Sequence, residues 1–323
     1  MTALFIIDPL ARLDHRFDTS LGLMRAFEAV GEPVVIAGAS DLTIRRGRPW
    51  VSGSRWSSRH PAMRTPREPI GLDEVRFVLP RIEPPVDGSY LAMTRVLDRV
   101  DRQRTILTND PRVLREVCEH TWGLQFEDLA PATVVTADRD ELASFIDHHG
   151  RAVIKPVDGF GGSGVFLATV GDPNLSSLLE SATQRFSRLV VAQEWLSAVE
   201  QGNRRLFLVD GRPFGPVVLR LPTLPDFRIG EPRSVTDWTA TDLSIAARVG
   251  PDLVRLGGRF VGLDVIGGKV VDVNVTSPGA LRKADLLAGS TRLCDALVEH
   301  LVSIGTASVG ASVTDRGATW LSL

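Results

Sequence analysis

The chain has 323 residues, 43% of them hydrophobic, so it is long enough to bury a large core and to form two or three lobes. Its 37 lysines and arginines nearly balance 39 aspartates and glutamates, which favours neither a nucleic-acid partner nor a membrane-surface partner. No apolar run approaches the ~18–20 residues of a membrane span, and the N-terminus lacks the pattern of a signal peptide, so we predict a cytoplasmic location. Cys118 and Cys294 are too few and too far apart for a disulfide framework or a metal pair, and we interpret both as reduced thiols.

The first third of the chain alternates strand and helix patterns. Residues 4–7 predict a buried strand, residues 21–30 a helix that stops at Gly31, and residues 33–37 the next strand. This β-α-β order indicates a parallel sheet. Residues 40–72 are rich in arginine and predict an irregular or hairpin insertion, whose cations are either solvated or face an acidic ligand.

Two further strands and a stiff loop complete this region. Residues 75–80 predict a strand that runs into residues 81–87, where two consecutive prolines stiffen the chain. Residues 105–109 predict another strand, and residues 110–119 a helix with proline at its first position. The stiff loop therefore follows a strand, at the kind of place where ligand sites of α/β sheets collect.

A glycine-rich loop follows the next apolar strand. After a strand and helix pattern at residues 133–147, residues 152–154 form a short apolar run that delivers Lys155. Four glycines within residues 159–164 allow backbone N–H groups to approach phosphate oxygens, with the lysine cation alongside. Because the lysine precedes the glycines, the segment is neither a Walker A loop nor a dinucleotide-binding loop. It predicts a phosphate cover, with a plain glycine-rich hairpin turn as the alternative.

Two strand patterns around Gly267-Gly268 predict a hairpin that carries three oxygen donors. Asp264 lies on the first strand, and Asp272 and Asn274 lie on the second. Because alternate residues share one face of a strand, these side chains can converge as hard oxygen ligands for Mg²⁺. The alternative is an ordinary hairpin whose Asp and Asn only form turns.

The other C-terminal patterns are strands followed by helices. A buried strand is predicted at residues 189–193, a hairpin that turns at Asp210-Gly211 at residues 205–213, and a strand at residues 217–222. An amphipathic helix is predicted at residues 239–256, and a final helix ends near residue 303.

Six segments, in order along the chain, resemble the bacterial glutathione synthetases within the ATP-grasp ligases. They are Asp-Thr-Ser at 18–20, Arg-Ile-Glu-Pro-Pro-Val-Asp at 81–87, Ile-Lys-Pro-Val-Asp-Gly at 154–159, Arg-Arg-Leu-Phe-Leu-Val-Asp-Gly at 204–211, Val-Gly-Leu-Asp at 261–264, and Val-Asn-Val-Thr-Ser-Pro at 273–278. The resemblance covers nearly the whole chain and implies an α/β ATP-grasp fold with an N-terminal parallel-sheet pre-ATP-grasp domain. The implied divisions are an N-terminal domain, a small lobe, a large lobe and a disordered tail, at residues 1–118, 119–196, 197–304 and 305–323.

The resemblance also implies roles for individual residues. Those assigned to the nucleotide are Lys155, Gly159, Gly161, Gly162, Ser163, Gly164, Glu194, Trp195, Leu196, Asn203 and His120. Those assigned to the metal are Asp264, Asp272 and Asn274, and those assigned to the transferring phosphoryl group are Arg205 and Arg220. Those assigned to the substrates are Asp18, Ser20, Arg81, Ser277 and Arg228. Arginine suits such contacts because its planar guanidinium binds a carboxylate or phosphate at two points, although a surface cation is the alternative for each strand arginine.

Three positions depart from the pattern that the resemblance implies. His120 stands where the family has a lysine that reaches the nucleotide. The segment at residues 223–232 is shorter than the family's glycine-rich lid and contains proline, so it presents different groups to the amine substrate. Asp272 replaces a glutamate, and its carboxylate reaches one methylene less far.

The implied reaction is ATP-dependent joining of a carboxylate to an amine through an acylphosphate. The parent activity is glutathione synthesis from γ-glutamylcysteine and glycine, the alternative is a sibling ligase that joins or cyclises other amino acids or peptides, and a third reading is an inactive nucleotide-binding protein. The implied cofactors are ATP and Mg²⁺, as two ions, with Mn²⁺ as a substitute. The implied partners are small-molecule substrates and a second copy or more of this chain, as a dimer or tetramer, with no nucleic acid or membrane.

Overall fold

The computed structural model describes residues 2–61, 65–222, 226–289 and 292–307. Part of the predicted lid (223–225) and most of the predicted tail (308–323) lie outside these ranges. The last helix reaches Ala307, so the prediction that a disordered tail begins at residue 305 is wrong for residues 305–307. The helix extends this far because Ile304 still packs against the apolar cluster that buries the preceding turns.

The N-terminal region forms a sheet with a parallel centre. Its strands are β1 (Ala3–Ile7), β2 (Val34–Ala37), β3 (Leu42–Arg45), β4 (Arg48–Trp56), β5 (Glu68–Gly71), β6 (Phe77–Arg81) and β7 (Ile106–Leu107). Its helices are α1 (Thr19–Ala29), α2 (Gly88–Leu97) and α3 (Pro111–Glu116). The order is β3-β4-β2-β1-β6-β7, and β2, β1, β6 and β7 run parallel, which confirms the predicted parallel sheet. The arginine-rich insertion is a hairpin, since β3 and β5 both pair antiparallel with β4.

The small lobe is a four-stranded antiparallel sheet with two helices. Its elements are β8 (Thr133–Thr136), α4 (Arg139–His149), β9 (Arg151–Pro156), β10 (Phe166–Thr169), α5 (Leu175–Ala182) and β11 (Val190–Glu194). The order is β10-β9-β11-β8, so the strand that carries Lys155 is internal. Asp138 caps α4 by accepting hydrogen bonds from the backbone N–H groups of Asp140 and Glu141.

The large lobe holds the third sheet, ordered β15-β14-β12-β16-β17 with β13 beside β12. Its elements are β12 (Asn203–Val209), β13 (Arg212–Pro213), β14 (Val217–Pro222), β15 (Ile229–Thr236), α6 (Ala240–Arg255), β16 (Phe260–Ile266), β17 (Lys269–Asn274), α7 (Leu281–Ala288) and α8 (Leu293–Ala307). The sequence pattern predicted only a lid loop where β15 begins. The segment becomes a strand because β14 offers a free edge, and the two pair antiparallel from Pro222↔Ile229 to Val217↔Thr236.

The N-terminal and large lobes share their hydrophobic cores, whereas the small lobe has its own. One cluster joins Leu4 and Val78 to Leu206, and another joins Phe5 to Phe207. The small lobe buries a separate cluster within its own sheet and helices. Its position against the rest of the chain therefore depends on contacts around the cleft between them. No helix among the described ranges has both the length and the apolar content to cross a membrane.

Asn109 links the N-terminal lobe to the large lobe through its buried side chain, which is 3% exposed. Its Nδ2 donates to the carbonyls of Phe260 and Val275, at 2.7 Å each. Its Oδ1 accepts from the backbone N–H groups of Arg259 and Phe260, at 2.8 Å each. The amide thus satisfies main-chain groups that water cannot reach.

Replacing Asn109 by alanine is expected to lower the free energy of unfolding by at least about 2 kcal/mol, because buried main-chain donors and acceptors lose their partners. Urea denaturation followed by circular dichroism measures the change. The control is Asn174→Ala, since Asn174 is exposed and makes no capping hydrogen bond with its side chain. Equal stability of the two variants would contradict the linking role of Asn109.

Candidate active site

A cleft of about 790 Å³ lies between the small lobe and the large sheet. From the small lobe it is lined by Lys155 of β9 and by Gly161 and Gly162 of the glycine loop. From the large sheet it is lined by the oxygen-donor hairpin, β16 and β17. The glycine loop and the oxygen-donor hairpin, which the sequence predicts separately, therefore line one cavity.

The hairpin brings its three predicted metal ligands onto one face. Asp264 on β16 lies directly opposite Asp272 on β17, and Gly262 lies opposite Asn274. Both turn residues, Gly267 and Gly268, have positive φ (55° and 79°), a conformation that glycine adopts without strain. All three donors line the cleft, as the spacing of two along β17 requires.

Arg205 and Asp264 form a buried, two-point ion pair at the base of the cleft. Arg205 Nε donates to Asp264 Oδ1 at 2.7 Å and Nη2 donates to Oδ2 at 2.8 Å, with the two residues 7% and 4% exposed. Burial raises the pKa of Asp264, but the cations of Arg205 and Arg220 outweigh burial and hold the pKa below its ordinary value. Gly262 makes room for the pair, because a Cβ there would lie 3.1 Å from Arg205 Cδ.

Asp272 is held by two side chains, Lys155 from the small lobe and His120 from the segment that follows α3. Lys155 Nζ lies 2.8 Å from Asp272 Oδ1, and His120 Nδ1 lies 2.7 Å from the same oxygen. Lys155 is 5% exposed and also donates to the carbonyl of Val271 at 3.2 Å. Burial raises the pKa of Asp272, but Lys155 and His120 together lower it below the ordinary value.

Arg220 connects the oxygen-donor hairpin with β15. Its Nη1 lies 3.5 Å from Asp264 Oδ1, and its Nε donates to the carbonyl of Gly230 at 3.4 Å. The side chain is only partly exposed and lines the cleft beside Arg205. The two arginines thus place two positive charges next to one carboxylate, which leaves net positive charge available to an anion.

One end of the cleft is apolar and contains two unsatisfied polar atoms. Val199, Ile266 and Val271 form a small cluster there, with Trp195 and Leu196 packed against it. The lining also includes Asn203, which is 3% exposed. Asn203 Oδ1 and Trp195 Nε1 are buried, and within the described residues neither has a hydrogen-bond partner. This end suits a flat aromatic base with a hydroxyl-bearing group beside it.

Glu194 also lines the cleft at this end, but its side chain is engaged. Its Oε1 accepts from the backbone N–H of Ala132 at 2.8 Å, and its own N–H donates to the Ala132 carbonyl at 2.9 Å. Its contact with the nucleotide, which the resemblance implies, stays a prediction.

The residues just before β15, at 226–228, contact the glycine loop. Arg228 Nη1 donates to the Gly162 carbonyl at 3.2 Å, while its Nη2 and Nε bind the carboxylate of Asp226. The ring of Phe227 lies 5.9 Å from that of Trp195. Of the loop residues assigned to the nucleotide, Gly161 and Gly162 line the cleft, whereas Gly159, Ser163 and Gly164 are not in its lining.

The residues assigned to substrates divide into two groups. Ser277 and Arg228 line the cleft. Arg81 is 5% exposed and outside the lining, because its Nε donates to Ser20 Oγ (3.1 Å) and its Nη2 to the Pro278 carbonyl (2.9 Å). Asp18 caps α1 by accepting from the Leu21 N–H. The structure therefore does not bring Arg81, Asp18 and Ser20 into the cavity, and their contact with substrate stays a prediction.

Two glutamates in the cleft were not singled out from the sequence. Glu83 lies in the stiff loop after β6, and burial raises the pKa of its carboxyl. Glu119 accepts from Thr276 Oγ1 at 3.0 Å, and burial followed by the charge of Asp272 raises its pKa to about 7. The sequence position of both residues could have indicated that they line the cleft, since Glu83 belongs to the stiff loop at residues 81–87 and Glu119 precedes His120.

The donor set of the hairpin fits a divalent cation only in part. Within the described ranges, no cluster of three or more His, Cys, Asp or Glu side chains is placed to hold a metal. Two carboxylates and an amide are nevertheless what Mg²⁺ takes when phosphate oxygens and water complete its shell. The chain's residues therefore fit a metal that is shared with a phosphate.

Solved structures resemble this architecture over nearly the whole chain. The macrocyclase MdnC from Microcystis aeruginosa MRC, bound with the precursor peptide MdnA, has a TM-score of 0.64 at 14% identity, covering 94% of this chain and 100% of that one. The D-cycloserine synthetase DcsG has a TM-score of 0.63 at 16% identity, covering 93% and 99%. At such identities the likeness establishes the fold alone.

Sequence comparison is more specific. The prokaryotic glutathione synthetase N-terminal domain matches residues 1–115, and the ATP-grasp domain of the same family matches residues 119–289. Glutathione synthetase of Thermosynechococcus vestitus is 39% identical over 320 residues, covering 94% of this chain and 100% of that protein. That of Pseudomonas aeruginosa is 33% identical over 317 residues, covering 92% and 96%. The chain belongs to the prokaryotic glutathione synthetase family and is an ATP-dependent, ADP-forming carbon–nitrogen ligase; this family uses ATP and a divalent metal ion.

Proposed function

We propose that this ligase joins γ-glutamylcysteine to glycine and so makes glutathione. The observation that carries the proposal is the single cleft in which the glycine loop faces the oxygen-donor hairpin. The relatives named glutathione synthetase, which match almost end to end, support the choice of substrates.

The reaction has two steps because a carboxylate oxygen is a poor leaving group. Transfer of the γ-phosphoryl group of ATP to the substrate carboxylate forms a P–O bond and releases ADP. The amine then attacks the carbonyl carbon, the C–N bond forms as phosphate leaves, and the amine loses a proton to solvent. Such chemistry depends mainly on positioning and charge neutralisation.

The proposed roles follow from position in the cleft. Lys155 and the backbone of Gly161 and Gly162 hold phosphate oxygens, and the apolar end around Trp195 and Leu196 receives the base. Asn203 Oδ1 accepts a hydrogen bond from a ribose hydroxyl, because it is a buried acceptor that lacks a partner among the described residues.

Charge at the reacting end is controlled by the arginines and the hairpin. Arg205 and Arg220 stabilise the transferring phosphoryl group, since both line the cleft beside Asp264. Asp264, Asp272 and Asn274 would hold Mg²⁺, as two ions, with Mn²⁺ as a substitute. A divalent ion at these residues would neutralise phosphate charge.

The test is to incubate the purified protein with ATP, Mg²⁺, γ-glutamylcysteine and glycine, and to measure ADP and glutathione. We expect ADP and glutathione in equal amounts, and background ADP when either substrate is omitted. Turnover with other amino acids but none with this pair would replace the proposal by the sibling ligase. Absence of substrate-dependent ADP formation with every amino acid would leave only nucleotide binding.

A sibling ligase for other amino acids or peptides remains the second candidate because of the lid. The guanidinium of Arg228 is already bound to Asp226 and to the Gly162 carbonyl, so the lid offers a different set of free groups to the amine. A cytoplasmic location and a dimeric or tetrameric state stay predictions.

A further inference from the structure

The two single-residue departures found in the sequence, His120 and Asp272, touch each other. They are 152 residues apart in the chain, yet His120 Nδ1 lies 2.7 Å from Asp272 Oδ1. We propose that His120 is a positioning residue, which orients the Asp272 carboxylate for the metal and does not itself hold the nucleotide. This inference rests on the proposed function, because it assumes that a nucleotide and a metal occupy the cleft.

The first support is the way in which the carboxylate is held. Lys155 Nζ, at 2.8 Å, and His120 Nδ1 both contact Oδ1 of Asp272. No donor from the described part of the chain contacts Oδ2. One oxygen is therefore fixed by two side chains, and the other is left as a ligand atom on the cleft side of the hairpin.

The second support is the anchoring of the histidine itself. The Glu119 carbonyl accepts a hydrogen bond from the backbone N–H of Val273 at 2.9 Å. Since Glu119 precedes His120 and Val273 follows Asp272, this bond holds the backbone of the histidine beside β17. Thr276 Oγ1 also donates to Glu119 Oε1 at 3.0 Å. His120 is only 10% exposed in its side chain. A ring held in this way has little freedom to turn toward a phosphate.

The third support is the length of Asp272. An aspartate has one χ angle fewer than a glutamate and reaches one methylene less far. It can therefore adjust its oxygens to a metal less, and its carboxylate must already be held in the right orientation. Hydrogen-bond partners of ligating carboxylates serve this purpose, and their loss typically lowers metal affinity or activity by about 10–100-fold.

The proposal can be tested by binding without catalysis. ADP is titrated into the whole protein by calorimetry, once in EDTA and once in Mn²⁺, and the ratio of the two Kd values reports metal–nucleotide coupling. For His120→Ala we expect an unchanged Kd in EDTA and a coupling ratio lower by about tenfold or more. His120→Asn should restore the coupling, because its amide nitrogen can occupy the place of Nδ1. His120→Gln should not, because its amide nitrogen lies near the place of Nε2.

Other outcomes overturn the proposal. If His120→Ala weakens ADP binding in EDTA and His120→Gln restores it, the histidine contacts the nucleotide. If His120→Ala leaves both Kd values unchanged, it positions nothing. If the natural protein shows no metal-dependent binding of ADP, the proposed function fails as well, and this result differs from a failure confined to the variants.

His148→Ala, at an exposed histidine of α4, is the matched control, and thermal unfolding checks that each variant is folded.

Discussion

Replacing Arg205 by alanine is expected to reduce the rate of ligation by about 10²–10³-fold, because a preorganised cation at the transferring phosphoryl group is lost. The same change should also lower the free energy of unfolding, by up to about 3–5 kcal/mol, since the buried Asp264 would lose its two-point partner and keep only the more distant Arg220, at 3.5 Å. Asp264 is 4% exposed and has both oxygens bound by Arg205, so water cannot replace the lost donors without a rearrangement. ADP release measures the rate, and urea denaturation measures stability.

Arg204 provides the matched control for Arg205. It precedes Arg205 on β12, so its side chain lies on the opposite face of the sheet. There it binds Asp242 with a shortest distance of 2.5 Å. Asp242 is 1% exposed, so Arg204→Ala should also destabilise the fold. Its rate per folded molecule should nevertheless stay near that of the natural protein. A similar loss of rate in both variants would show that Arg205 acts through stability alone.

Replacing Lys155 by methionine is expected to weaken nucleotide binding by about 10–100-fold. A hydrogen bond to a charged group contributes about 1.5–3 kcal/mol, and 1.4 kcal/mol corresponds to a factor of ten. Methionine keeps most of the buried stem, and Asp272 retains its contact with His120, so stability should change little. Calorimetric titration with ADP in the presence of Mg²⁺ measures the change in Kd.

Lys269→Met is the control for Lys155→Met. Lys269 lies on β17 of the oxygen-donor hairpin, donates to the carbonyl of Asp128, and is outside the cleft lining. Its loss should leave the Kd for ADP unchanged. An unchanged Kd for ADP in Lys155→Met would contradict the placement of phosphates beside this lysine. An equal rise in the Kd of both variants would indicate a general charge effect.

Local patterns predicted the oxygen-donor hairpin correctly and placed the glycine loop after the strand that carries Lys155, while the contact of this loop with phosphate stays a prediction. The Gly267-Gly268 turn and the spacing of two between Asp272 and Asn274 determine which face these side chains share, because both follow from backbone geometry over a few residues. The parallel N-terminal sheet was predictable for the same reason, since β-α-β patterns are local.

The identity of each partner was not predictable, because it depends on which elements pack together. Arg205 meets Asp264 across 59 residues of sequence, and no local rule selects that pairing. Arg81 was expected at the substrate, but Ser20 and the Pro278 carbonyl surround it in the packed structure. Strand β15 formed where a loop was expected, because β14 supplied an unpaired edge.

The sequence by itself determined the kinds of chemical group that this protein brings to its site, since strand alternation and glycine-rich turns act over short distances. Only the tertiary structure decided which cation neutralises which carboxylate. Asp264 pairs with Arg205, whereas Asp272 pairs with Lys155 and also contacts His120. The physical reason is that the attraction between two charges weakens with distance and strengthens with burial, and both are set when the lobes pack around the cleft.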